Sequence, residues 1–135
     1  LEKISNANKT KMSLRKLAKK IRIHGECGGY MVLGEAIIDN KGKHHSMFDL
    51  LGLITSFEKK KLHLGFRLAK LKNVNNDFDR LRKLRGHEFH YSTIIKQTDS
   101  ELYEVFDANN TKVKETGSFR GKVSGTFFHL LSESQ

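Results

Sequence analysis

The apolar positions of this 135-residue chain change period several times, and each change marks a new element. From Lys11 to Ile21, Met12, Leu14, Leu17, Ala18 and Ile21 recur near helical spacing with Lys and Arg between them, which predicts an amphipathic helix. Thr10 or Ser13 offers a side chain for its N-cap. Ile21 to His24 reads as a short buried strand. Gly28 to Ile38, with Met31, Val32, Leu33, Ala36 and Ile37, reads as a second helix closed by the turn residues Asp39-Asn40-Lys41-Gly42. Ser46 to Ser56 is mostly apolar and is expected to be a loop pressed onto the core.

Between Lys59 and Leu71 the period becomes two, and the alternation predicts a half-buried strand. Leu62, Leu64, Phe66 and Leu68 share one face, the expected core side, while His63, Arg67 and Lys70 are polar. Asn73 to Asp79 reads as a turn, and Phe78 to Arg85 fits either a helical turn or a strand. Strands are expected at Glu88 to Ile95 and Glu101 to Phe106, with Asn109-Asn110 turning a hairpin. Lys122 to Leu131 is the last strand, where Gly125 permits a close backbone approach. Helix, strand, turn, helix, then strands is α/β grammar.

Candidate chemistry changes this picture at one place, Gly25-Glu26-Cys27-Gly28-Gly29-Tyr30, which holds the only cysteine. A Gly-x-Cys-x-Gly spacing after a strand forms a nucleophile elbow, in which the missing Cβ atoms allow a sharp turn into a helix and leave the thiol at its tip. A helix starting at Gly28 would aim its first amides at the sulfur, favouring thiolate and offering a donor to an oxyanion. The alternative is a small buried residue in a tight turn. A nucleophile also needs a base, and His24, His44, His45, His63, His87, His90 and His129 are all available. Gly86-His87-Glu88-Phe89-His90-Tyr91-Ser92 and Ser124-Gly125-Thr126-Phe127-Phe128-His129 give histidines the strongest strand context. A metal site from His87, Glu88 and His90, with His44 and His45, is disfavoured because His87 and His90 point to opposite faces of a strand. No Gly-x-x-x-x-Gly-Lys-Ser/Thr phosphate loop is present.

Composition narrows the class. The length suits one domain, no apolar run approaches a membrane span, and a lone cysteine with no signal peptide fits a reducing cytoplasm. The net charge of +10 comes from separate clusters at Lys9 to Arg22, Lys59 to Lys72 and Arg80 to Arg85, none in a nucleic-acid-binding motif, so solvated faces explain it better than a polyanion site. The absence of an initiator Met suggests a fragment.

Four stretches taken in order are similar to one family: Glu26 to Leu33; Thr55-Ser56-Phe57 with Lys61 to Arg67; Arg85 to Ser92; and Gly125 to His129. Over about Leu1 to Leu131 the chain resembles the C-terminal glutaminase domain of the cobyrinic acid a,c-diamide synthase family, a class I glutamine amidotransferase-like group. The resemblance implies a three-layer, flavodoxin-like α/β sheet with helices on both faces, here partial over 1–135 and with an antiparallel C-terminal portion. It implies that Cys27 is the nucleophile and His129 its base. Gly28 and Gly29 would serve the oxyanion, with His87, Glu88, His90, Tyr91 and Ser92 forming the pocket.

By the same resemblance, glutamine is the ammonia donor, and a synthetase domain of the same enzyme uses ATP and Mg2+ to amidate a corrin precursor. No cofactor is implied for this stretch. Leu131 stands where wider relatives of the class carry a Glu, leaving Glu133 or Glu88 as acids that can approach His129. The family's glycine-rich Gly-Gly-x-Pro-Glu-type segment would precede Leu1, so little glutaminase activity and an open, self-associating sheet edge are expected. A non-catalytic basic binding module, an inactive relic of the domain and an unrelated cysteine hydrolase are the other readings.

Overall fold

The computed structural model describes residues 1–72 and 83–134. Two helices, α1 (Glu2–Ser5) and α2 (Asn8–Leu17), lead into strand β1 (Ile23–Glu26), helix α3 (Gly28–Leu33) and strands β2 (Ala36–Ile38), β3 (His44–Ser46) and β4 (Leu53–Ser56). Then come β5 (His63–Leu71), β6 (Lys83–His90), β7 (Thr93–Gln97), β8 (Ser100–Glu101), β9 (Tyr103–Phe106), β10 (Ser118–Arg120), β11 (Val123–Thr126) and β12 (Phe128–Ser134). Among the described residues they form three four-stranded sheets, ordered β1-β11-β10-β8, β12-β6-β5-β9 and β3-β2-β4-β7. The class is mixed α/β, dominated by strands. Among the described residues, no helix is long and apolar enough to cross a membrane.

The first core forms where α3 lies on β1 and β11. Tyr30, Met31, Leu33, Ile37, Met47, Leu51, Leu53, Val123 and Phe127 are buried together. The Tyr30 ring meets Phe127 edge-on at 5.3 Å, and its hydroxyl bonds Ser118 Oγ at 2.6 Å, so the polar tip of a buried aromatic is satisfied. Gly25 and Gly125, partners across the parallel β1–β11 pair, make this contact possible. A Cβ on Gly125 would lie 2.2 Å from the Tyr30 ring, and one on Gly25 2.7 Å from the Gly29 backbone. A second core, Ala69, Tyr103, Val105 and Phe128, lies under the β12-β6-β5-β9 sheet.

Several expectations are corrected by tertiary context. The helix from Gly28 stops at Leu33, because Gly34 is extended and packed where a Cβ would lie 2.5 Å from the Leu53 carbonyl oxygen. Ala36 to Ile38 is therefore strand, and Asp39 to Gly42 turns the β2–β3 hairpin rather than ending a helix, with Asp39 Oδ1 accepting from the Lys41 and Lys43 amides at 2.9 Å each. The first long helix covers Asn8–Leu17, with Ala7 at its N-cap and no side-chain cap from Thr10 or Ser13. Leu14 and Ala18 pack on the core, but Met12, Leu17 and Ile21 are exposed. The Ser46 to Ser56 loop ends in β4, its Met47, Leu51 and Leu53 buried.

Three expected strands are each divided between sheets. Glu88 to Ile95 splits into β6 and β7, Glu101 to Phe106 into β8 and β9, and Lys122 to Leu131 into β11 and β12, with Phe127 alone between the last two. The Asn109-Asn110 hairpin reduces to a single bridge, Phe106 to Lys112. The turn at 73–79, and residues 78–82 of the ambiguous stretch, lie outside the described residues, whereas 83–85 begin β6.

The side of β5 is also reversed. Its period of two holds, but Leu62, Leu64 and Phe66 are exposed, while Arg67 is turned in to an ion pair with buried Glu88. Alternation fixes which residues share a face; which face is buried depends on what the neighbours offer. Here the neighbouring strand offers Arg67 a buried carboxylate.

Candidate active site

Cys27 follows directly from the end of β1, and its amide bonds the Thr126 carbonyl at 2.8 Å, as if the parallel ladder ran one residue further. Its backbone then turns to φ 53, ψ −111, a left-handed conformation that non-glycine residues rarely hold and that costs about 1–3 kcal/mol. Strain at the single residue between a strand and a helix is the geometry of an elbow. The flanking glycines have separate roles. Gly25 lets the helix come close, whereas a Cβ on Gly28 or Gly29 would meet nothing within 4 Å, leaving open space beside the thiol.

The Cys27 Sγ points to the Phe89 carbonyl oxygen at 3.8 Å, over the edge of β6. Phe89, His87 and Leu64 share the outer face of the β5–β6 pair, where Leu64 stands opposite Phe89, and Phe66 opposite His87. His129 is directly across from His87 on β12. The row Phe66, His87, His129 thus runs across three strands, with the Phe66 and His87 rings edge-on at 5.4 Å. His129 is exposed, and Cys27 is partly so. Cys27 and His129 stand beside the same short stretch, Thr126 to His129.

The motif Gly86 to Ser92 divides by parity. His87 and Tyr91 go to the outer face, Tyr91 exposed with its ring edge-on to Phe89 at 5.8 Å. Glu88, His90 and Ser92 go inward and are buried. Glu88 Oε1 accepts from Arg67 Nε at 3.2 Å, and its Oε2 lies 3.2 Å from His90 Nε2. His90 Nδ1 donates to the Ser92 carbonyl at 2.9 Å, which leaves its Nε2 facing Glu88. Burial alone would raise the Glu88 pKa, but the His90 hydrogen bond and the Arg67 charge outweigh it and hold the carboxyl below its ordinary value. Glu88 therefore does not approach His129: it faces the other side of the sheet. The side chain of Glu133 lies outside the described part of the structure.

The metal question is answered by different residues from those expected. His87 is separated from Glu88 and His90, and His45 is engaged by Asp39 at 2.9 Å, a hydrogen bond that holds the Asp39 carboxyl down to about 2. Among the described residues, His63, Glu88 and His90 do bring donor atoms within 4.8 Å of one another. Their rings exclude a shared ion. His63 and His90 stack at 4.5 Å and 12°, and an ion bound to both would have to lie in two nearly parallel planes that do not meet near the donors. Arg67 already compensates Glu88. His63 Nε2 is buried without a hydrogen-bond partner, and burial followed by repulsion from His90 lowers its pKa.

Sequence reasoning missed two acids, Glu26 and Glu115, whose carboxylates take backbone amides. Glu26 Oε2 accepts the Leu130 amide at 2.8 Å. Glu115 accepts from the Gly117 amide, and its burial raises its pKa to about 7. Glu26 reaches an amide far along the chain, whereas Glu115 closes a local contact with the Gly117 amide two residues on.

Comparison with known proteins identifies the family of the chain. The model of the CobB/CobQ-like glutamine amidotransferase domain matches residues 1–135, and the chain belongs to that family. It is similar to a hydrogenobyrinate a,c-diamide synthase of Rhodobacter capsulatus, 50% identical over 96% of this chain and 30% of the relative. A protein of the same name from Mesorhizobium japonicum is 41% identical over 98% of the chain and 30% of its own length. One from Rhizobium meliloti is 40% identical over 99% and 31%. The chain thus spans about 30% of the length of these relatives.

Proposed function

We propose that this chain is the glutamine-hydrolysing part of a hydrogenobyrinate a,c-diamide synthase, with Cys27 as nucleophile and His129 as its base. The observation that carries the reading is the strained elbow at Cys27 beside the strand that presents His129. In this mechanism His129 takes the thiol proton and Cys27 Sγ adds to the side-chain amide carbon of glutamine. The oxyanion develops beside the Gly28 amide. The C–N bond then breaks, His129 returns its proton to the leaving nitrogen as ammonia forms, and water cleaves the thioester to glutamate and free thiol. His87, Phe89 and Tyr91 form one wall of the site; Glu88, His90 and Ser92 support that wall from beneath.

The ammonia is used elsewhere in a longer protein. Its synthetase part, by the family likeness, activates the a and c carboxylates of the corrin precursor with ATP and Mg2+, in the cytoplasm. Two features support a domain completed by further chain. Among the described residues β1 pairs with β11 alone, so the strand that delivers the nucleophile is a sheet edge. Leu62, Leu64, Phe66, Phe89 and Leu131 are exposed apolar residues on or beside the face that carries His129. The three-layer sheet with helices on both faces is reached when strands are added at the β1 edge. A non-catalytic binding module is the poorer reading, since it gives the Cys27 strain no purpose.

The test is covalent labelling of Cys27 by a diazo-ketone analogue of glutamine, followed by mass spectrometry. Labelling should require Cys27, and His129→Ala should slow it about 10²–10⁴-fold, the usual contribution of a positioned base. Equal rates in wild type and His129→Ala would remove the base assignment.

A further inference from the structure

We propose that Glu26 is the residue that positions His129, replacing through the backbone the acid that Leu131 does not provide. This rests on the glutaminase reading above. β12 is an edge strand, so alternate amides on its outer side have no ladder partner in β6. The chain has just left the β1-β11 sheet at Phe127 and joined β6 at Phe128, and the first part of the new strand passes the end of β1. Glu26 stands at that end. Its carboxylate takes the Leu130 amide at 2.8 Å, with the charged acceptor strengthening the bond.

The contact joins the residue before the nucleophile to the residue after the base. Cys27 and His129 are otherwise held by different sheets, β1 in one and β12 in the other. The Thr126 carbonyl fixes the Cys27 amide from one side of the crossing, and Glu26 fixes the Leu130 amide from the other. A shift of β12 along β6 would move His129 relative to β1 and Cys27, and the Glu26 bond opposes that shift. The neighbouring titratable group is His24, whose Nε2 is 3.9 Å from the same carboxylate oxygen while its Nδ1 is engaged with Ser124 Oγ at 2.7 Å.

The test uses the 135-residue chain. Glu26→Ala should reduce the maximal rate of Cys27 labelling by the diazo-ketone analogue roughly 10²-fold, the loss that follows about 1 Å of misplacement, with the half-saturating concentration nearly unchanged. Glu26→Gln, which keeps an acceptor oxygen, should restore labelling to within about threefold of wild type. By NMR, the Leu130 amide should exchange roughly tenfold faster in Glu26→Ala than in Glu26→Gln, as expected for losing one hydrogen bond. Unchanged labelling and exchange in Glu26→Ala, or equal losses in Ala and Gln variants, would overturn the proposal. If the wild-type chain is not labelled at all, it is the glutaminase reading that fails, and the Leu130 exchange comparison still decides whether Glu26 holds the strand.

Discussion

Strand β6 carries two chemistries on its two faces. The inner face holds Glu88 and His90 in a closed set with Arg67 and Ser92, where almost every polar atom has a partner. The outer face holds His87 and Phe89 in the open beside Cys27 and His129, among exposed Leu64 and Phe66. Polar residues are buried and apolar ones exposed, the reverse of an ordinary strand. The difference teaches that the inner set is a scaffold whose charges are matched to one another, while the outer set presents rings and apolar side chains at the surface. Burial of the polar set is tolerated because it is nearly complete in hydrogen bonds.

The comparison is broken most severely from the inside. Arg67→Ala leaves the Glu88 carboxylate buried with one cationic partner fewer and should cost about 3–5 kcal/mol of stability, measured by denaturant unfolding. A loss under 1 kcal/mol would mean that Glu88 escapes to water or takes up a proton without cost.

Glu115→Gln tests a second, partly buried acid. The folded pKa of Glu115 is raised from 4.5 to about 7 by burial, so its contribution is complete below pH 4.5 and is lost as pH rises through 7. The Gln variant should therefore match wild type at pH 4.5 and exceed it by about 1–3 kcal/mol at pH 8. A constant difference across that range would detach the pH dependence from Glu115.

The smallest effect is expected outside. Leu64→Ser or Phe66→Ser should change the stability of the chain by no more than about 0.5 kcal/mol, since each side chain is already in water. The same substitutions should reduce self-association in sedimentation experiments. Stability losses above 1 kcal/mol would show that this face packs against something within the chain.

The elbow was legible in the sequence because it is local: five consecutive residues contain both the glycines and the thiol, and the strained backbone follows from them. The assignment of His129 rests on the Gly125 to His129 motif and the family it resembles, and the structure adds that His129 lies on β12 across from His87. The sides of β5 were not legible, because alternation at Leu62, Leu64 and Phe66 is indifferent to which face is buried until Arg67 finds Glu88 on the next strand. The helix end at Gly34 had a signal in the glycine itself, hidden by the apolar run on either side. Glu26 was passed over for the opposite reason, since its partner is a backbone amide 104 residues away and leaves no mark on the sequence around it.

The passage at Phe127 has a consequence for chain length. One residue separates a strand bonded in one sheet from a strand bonded in another, and its ring is fully buried between Tyr30 at 5.3 Å and His90 at 4.0 Å. There is no slack to absorb an insertion. Adding or removing one residue between Thr126 and His129 would either unseat that ring or turn the imidazole to the inner face, because a strand's side chains change sides at every step. The spacing between the elbow's partner strand and the base is therefore fixed by count as well as by composition. Loops elsewhere in such domains can lengthen freely, while this interval has room for one number only.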